Sequence, residues 1–189
     1  VREDDKILAP TPYKEYPNPA AKPVVLNIGT GGNGIGTLTL KNTASKGEES
    51  LIDNYHFSSE SLAQATSSDH RLLYVSAILK EDIHISGTPS ISIKATSSKP
   101  AVNLSVYLVS LPWNNDWNAK ITDNIITRGW ADLQNHKSLK ESAPLKSDTF
   151  YKMTFDLQPD DQIIKKGQQI GLLIFSSDSA YTLLPKPGT

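Results

Sequence analysis

No stretch of this sequence carries an apolar stripe of 3.6-residue period over three turns, and that absence constrains the fold more than any other feature. In its place, short runs of period two recur between clusters of Gly, Pro, Asn and Asp. The clearest is Tyr151-Lys152-Met153-Thr154-Phe155-Asp156-Leu157, which alternates without a break, so that one face meets a core and the other meets water. Ser90 to Thr96 puts Ile91, Ile93 and Ala95 on one side. Asn103 to Leu111 alternates Leu104, Val106 and Leu108 with Ser105, Tyr107 and Val109. Gln169 to Ser176 reads GLLIF in its middle, a run suited to a strand covered on both faces. Further strands are expected over Val24 to Ile28, Thr37 to Lys41, Arg71 to Leu79, Asp82 to Ser86, Ile125 to Asp132 and Ala180 to Leu184. One short helix is expected over Ser58 to Ala65, capped by Ser58 or Ser59 with Leu62 turned inward. This pattern predicts an all-β chain: an antiparallel two-sheet β-sandwich of jelly-roll, galactose-binding-like architecture.

The first 23 residues differ in kind. They hold five of the twelve prolines and no lasting periodicity, which reads as an extended connector lying over a surface; the sandwich is expected over 24–189. The start at Val1 and the stop at Thr189 read as cut ends of a longer polypeptide. Nineteen basic side chains against twenty acidic ones give a net charge of −1 with no long run of either sign, so no phosphate-backbone surface is expected. No apolar run approaches a membrane span. The absence of cysteine removes disulfides and thiolate metal sites but leaves the compartment, cytoplasmic or exported, open.

Gly29-Thr30-Gly31-Gly32-Asn33-Gly34 fits G-x-G-x-x-G, and Asp53 stands near the spacing of a ribose-binding acid. That fingerprint works only when its last glycine opens a helix, whose amides and dipole hold a pyrophosphate. Here the loop leads into the β-branched run Thr37-Leu38-Thr39-Leu40, and no Walker lysine follows. Five glycines in eight residues suit a wide hairpin connection instead.

Catalytic patterns are missing. There is no G-x-S-x-G elbow, and His56, His70, His84 and His136 form no paired metal spacing. His84 lies in an expected strand and reads as a hydrogen-bonded structural residue; His56, His70 and His136 read as solvent-exposed in loops. Asp53, Asp69, Asp123 and Asp132 raise the thought of calcium, but their spacing matches no ligand loop. Asp160-Asp161 after Pro159 reads as a solvated turn. Asn103-Leu104-Ser105 has the form of a glycosylation sequon at a strand start, best read as chance. No catalytic residue, cofactor or metal is expected. The tryptophans are more informative: Trp113 and Trp117 in a polar loop, and Trp130, suit either burial against a domain or stacking on a ligand.

The blocks RLLYVSAILKEDIHISGTPSISIKATSSKPAVNLSVYLVSLPW, ITRGWADLQNHKSL, FYKMTFDLQPDDQIIKKGQQIGLLIFSSD and YTLLPKPGT follow one another from about residue 71 to the end. Together they resemble the C-terminal domain of bacterial Xaa-Pro dipeptidyl-peptidases, within the cocaine esterase-like and acyl hydrolase superfamily. The connector with Tyr13, Tyr16 and Pro17 fits as well, and Ser176-Ser177-Asp178 running on to Pro185 favours the Xaa-Pro peptidase branch. The resemblance implies a β-sandwich that follows an α/β-hydrolase domain, with the Ser-Asp-His triad upstream of Val1 and none of the four histidines as its base. It implies two partners, that hydrolase domain and the peptide substrate of the parent, and leaves room for a homodimer. Trp113, Trp117, Arg128, Trp130 and Asp132 are the expected contact or framework residues, Arg128 and Asp132 being a candidate ion pair. The alternatives are an α-amino-acid ester hydrolase or acylase parent, and an autonomous carbohydrate-binding module.

Overall fold

In a computed structural model of the chain, the described residues are 2–3, 14–41, 47–116 and 124–183. They form eleven strands: β1 Arg2–Glu3, β2 Asn27–Ile28, β3 Gly36–Thr39, β4 Leu72–Val75, β5 Ile83–Gly87, β6 Ser90–Ala95, β7 Asn103–Leu111, β8 Ile125–Asp132, β9 Tyr151–Asp156, β10 Asp160–Ile164 and β11 Gln169–Phe175. The one α-helix, α1, spans Ser59–Gln64. Ser58 caps it, its hydroxyl accepting from the Ser61 amide at 3.1 Å, and Leu62 faces inward.

One layer is a six-stranded sheet in the order β2-β3-β4-β11-β7-β8. The other is made of two shorter pieces, β1-β10-β5 and β6-β9. Between the layers, Leu38, Tyr74, Val106, Ile126, Leu172 and Ile174 of the large sheet pack with Ile164, and Ile85, Ile91, Ile93 and Phe155 close the same core from the second layer. The alternation of β6 and β9 sets their register directly: Ile91 lies opposite Phe155 and Ile93 opposite Met153. The strand β11 is buried along nearly its whole length, because the outer face of the large sheet is covered as well, by Leu62 and Ala63 of α1 and by Trp113.

The β-sandwich expected from the periodicity is present, with four local differences. The pairs β3–β4 and β1–β10 are parallel in an otherwise antiparallel fold. Several expected strands are shorter: Arg71 to Leu79 is a strand only over Leu72–Val75, and Val24 to Ile28 only over Asn27–Ile28. Asp160 and Asp161 do not form a solvated turn but open β10, where antiparallel pairing sets Asp161 opposite Ser86 of β5. Residues 180–182 are not a strand but a turn, closed by the amides of Tyr181 and Thr182 on the Asp178 carbonyl at 3.1 and 2.8 Å; Leu184 lies outside the described residues.

Candidate contact site on the outer face of the large sheet

Pairing of β7 with β8 sets Tyr107 opposite Arg128 and Ser105 opposite Trp130, so all four project from the outer face. At the end of β11 the chain delivers Asp178 to the same place. Its carboxylate is 1% exposed and accepts from the Tyr107 hydroxyl and, at 2.9 Å, from the Trp130 indole N–H. Burial, the bonded Asp178 and its charge all push the Tyr107 phenol upward, so it remains a neutral donor. The Ser59 hydroxyl is a further contact of that phenol. Edge-on packing of Tyr107 against Trp130 and Phe175, with centroids at 6.5 and 5.3 Å, completes the support.

The preceding residues of the SSD block are equally engaged. Ser176 donates to the Asn103 carbonyl at 2.8 Å, and Ser177 donates from its hydroxyl and its amide to the two oxygens of Asp53, at 2.6 and 2.9 Å. Asp53 is therefore a strap between the 51–58 loop and β11, not a ribose ligand.

Arg128 stands over this platform. Its guanidinium carbon lies 3.5 Å from the Tyr181 ring centroid, 5.6 Å from that of Trp130 and 5.9 Å from that of Tyr107. Tyr181 is 42% exposed, so the stack reaches the surface. The expected ion pair with Asp132 does not form: four residues along one strand separate them by about 13 Å. Asp132 instead accepts from the Gln134 amide at 2.9 Å and caps the 3-10 turn Leu133–Asn135.

The structure thus gathers Trp113, Arg128 and Trp130 on one face and sets Asp132 aside as a cap; Trp117 lies outside the described residues. The Trp113 ring packs partly buried against the outer-face core, and the Trp130 indole N–H is hydrogen-bonded to Asp178. Tyr107, Asp178 and Tyr181 were not singled out from sequence. An aspartate straight after an apolar strand and two serines is the signal that points to a buried acceptor.

Two further polar clusters are structural. The glycine loop is the expected hairpin between β2 and β3, and its amides do hold an anion: Gly31 and Gly32 donate to Glu49 Oε1 at 2.5 and 3.0 Å. Gly31 adopts φ +94°, a conformation natural to glycine alone, and a Cβ on Gly32 would sit 2.8 Å from the Tyr74 ring. Arg71, fully buried, donates to the carbonyls of Gly32, Gly34, Leu62 and Ala65, and so ties the loop to the end of α1.

On the second layer His84 is hydrogen-bonded as expected, Nε2 lying 2.5 Å from Asp161 Oδ1. Ser86 donates to the other Asp161 oxygen at 3.0 Å rather than to the imidazole, so these three residues do not form a nucleophile–base pair. Asn18 of the connector reaches the same cluster, its backbone N–H donating to Ser86 Oγ at 2.8 Å. His56 is exposed as expected. His70 and His136 are instead half-buried, packed on Phe57 and Tyr151 at 4.8 and 4.5 Å. Among the described residues no group of three His, Asp or Glu side chains could hold a metal ion.

Comparison with known proteins gives a consistent picture. The family model described as the X-Pro dipeptidyl-peptidase C-terminal non-catalytic domain matches residues 2–189. A Rhodopirellula baltica protein provisionally named Xaa-Pro dipeptidyl-peptidase is 54% identical over 189 residues, covering 100% of this chain and 30% of that protein. A Bacillus cereus protein of the same provisional name is 34% identical over 178 residues, covering 93% of this chain and 29% of the relative. The chain thus spans about a third of the length of the curated relatives it matches. Among solved structures, an α-amino acid ester hydrolase matches with a TM-score of 0.63 at 17% identity, over 86% of this chain and 32% of that one. That likeness is one of fold.

Proposed function

This chain belongs to the family of X-Pro dipeptidyl-peptidase C-terminal non-catalytic domains, and from that premise we propose that it serves as the accessory β-sandwich of a serine exopeptidase that releases Xaa-Pro dipeptides from peptide N-termini. In the whole enzyme an α/β-hydrolase domain carries the nucleophile, the base and the oxyanion hole. This domain packs against it, stabilises it and helps wall the entrance that admits the peptide N-terminus. Residues 1–23 act as the connector between the two, and residues 24–189 as the accessory domain.

The observation that carries the reading is the combination of 54% identity across the whole chain with coverage of only 30% of the relative. The polar clusters agree with a supporting role, since Ser86 and Asp178, the groups most like catalytic ones, are hydrogen-bonded into the framework. The test is hydrolysis of a Gly-Pro anilide by the full-length polypeptide, by the same polypeptide ending before Val24, and by residues 1–189 alone. We expect turnover by the first, a large loss in the second and none by the third. Full-length protein that cleaves amino-acid esters but leaves the Gly-Pro anilide intact would replace this reading with the ester-hydrolase one.

A further inference from the structure

Arg71 and Arg128 are used in opposite ways. Arg71 donates to four carbonyls and is satisfied inside the fold. Arg128 is half-buried, yet among the described residues its guanidinium makes no hydrogen bond and no ion pair; only the rings of Tyr181, Trp130 and Tyr107 hold it. A guanidinium has five donors in a fixed fork that matches a carboxylate, and stacking on rings leaves that fork free at its edge. The rings also fix the side chain in advance, so a partner acceptor would meet it with little further loss of rotamer freedom.

The surroundings of Arg128 have the composition of an interface centre. The loop carrying Tyr55 and Phe57 is pinned at both ends to this platform, by Asp53 on Ser177 and by Ser59 at the Tyr107 phenol. Tyr55, Phe57 and Tyr181 are 40%, 39% and 42% exposed, and Leu183, two residues beyond Tyr181, is 92% exposed. Aromatic rings, an aliphatic side chain and an arginine on a rigid hydrogen-bonded base are what protein contacts favour, and a lone soluble domain has little reason to display them together.

Resting on the function proposed above, we infer that this face docks on the α/β-hydrolase domain of the same polypeptide, and that an Asp or Glu carboxylate of that domain pairs with Arg128. The relatives carry more than twice this chain's length beyond it, which supplies the occupant, and a cation without an ion pair among the described residues specifies its charge.

The test uses the full-length polypeptide. Arg128→Lys keeps the charge and introduces an amine that a carbodiimide will couple to a carboxylate in direct contact. The expected product is an amide cross-link from position 128 to an acidic residue of the hydrolase domain, located by mass spectrometry. In the unsubstituted protein, phenylglyoxal should modify Arg128, and hydroxyl radicals should label Tyr55, Phe57 and Tyr181, roughly tenfold more slowly than solvent-facing groups, as for the dry centre of an interface. Free labelling at all four positions, with no cross-link to the hydrolase domain, overturns the inference. Protection that disappears on dilution also overturns it, because it assigns the face to a second copy. Gly-Pro anilide hydrolysis is measured alongside. Hydrolysis with free labelling retains the function and rejects the docking face, whereas a cross-link without hydrolysis retains the face and rejects the substrate.

Discussion

Asp178 is the residue on which the outer face depends, since one carboxylate takes both the Tyr107 hydroxyl and the Trp130 indole N–H. Asp178→Ala strands two donors away from water, and each stranded group costs about 1–3 kcal/mol. The variant should lose about 2–4 kcal/mol in urea unfolding, and the Trp130 indole proton should exchange faster by NMR. Unchanged exchange there would show that Trp130 holds its place without the acceptor. Glu49 and Asp161 act at lower pH. Burial raises both carboxyls, but hydrogen bonds outweigh it and hold both below their ordinary values: from Tyr74, Gly31 and Gly32 for Glu49, and from His84 and Ser86 for Asp161. Groups that titrate lower folded than unfolded contribute fully above their unfolded values near 4, and that contribution fades as pH falls through the folded ones. The stability that these two carboxyls contribute should therefore be constant above about pH 5 and fall below about 4.5, with a shallower fall in Glu49→Gln and in Asp161→Asn. Urea midpoints at pH 6, 4 and 3 check this, and variant curves parallel to the parent would remove these two groups as its cause.

At the scale of elements, hydrogen bonds join the two layers where β8 passes the end of β9. The Gln158 amide donates to the Arg128 carbonyl at 2.8 Å and Thr127 donates to the Gln158 carbonyl at 2.5 Å. Gly129 sits between them, and a Cβ there would lie 3.0 Å from the Asp156 carbonyl oxygen and from Leu157 Cα. Those neighbours are backbone, which cannot rotate aside, so Gly129→Ala should cost about 1–3 kcal/mol by overpacking. A thermal melt within a degree of the parent would show that the corner has slack. Strands of this kind were legible where side chains alternate and both neighbours are turns, as in Tyr151 to Leu157. They were illegible where pairing recruits polar residues: β10 begins Asp160-Asp161, and what makes it a strand is the His84 and Ser86 pairing from a strand some 75 residues away. The run Ala180 to Leu184 has strand-forming residues, yet the Asp178 carbonyl captures the amides of Tyr181 and Thr182 and curls residues 180–182. The site was legible in part for the same reason. Trp113, Arg128 and Trp130 stood out by type, whereas Tyr107, Asp178 and Tyr181 join them only once β7, β8 and β11 lie side by side.

On the scale of the whole molecule, the last strand of the described residues occupies the centre of the large sheet. Between β4 and β7, β11 pairs with both, Leu172 lying opposite Tyr74 on one side and Leu108 on the other. Without it the large sheet separates into β2-β3-β4 and β7-β8, each with an unpaired edge, and the cores on the two faces lose Leu172, Ile174, Leu173 and Phe175 together. The SSD block leaves with it, so the Asp53 strap and the acceptor for Tyr107 and Trp130 are also gone. Nearly all of this pairing joins distant parts of the chain, so little local structure can form first and wait for the final strand. A polypeptide ending at Gly167 should therefore show no cooperative unfolding transition and no near-ultraviolet circular dichroism from its tryptophans, and should be digested rapidly by thermolysin. Adding back residues 168–183 as a separate peptide should restore protection, because β11 enters an open slot with hydrogen-bonding edges on both sides. Cooperative unfolding in the shortened polypeptide would mean that the second layer and α1 form a stable core without the central strand. The packing of Ile85, Ile91, Ile93 and Phe155 against a core that includes Ile170, Leu172 and Ile174 of β11 argues against that outcome.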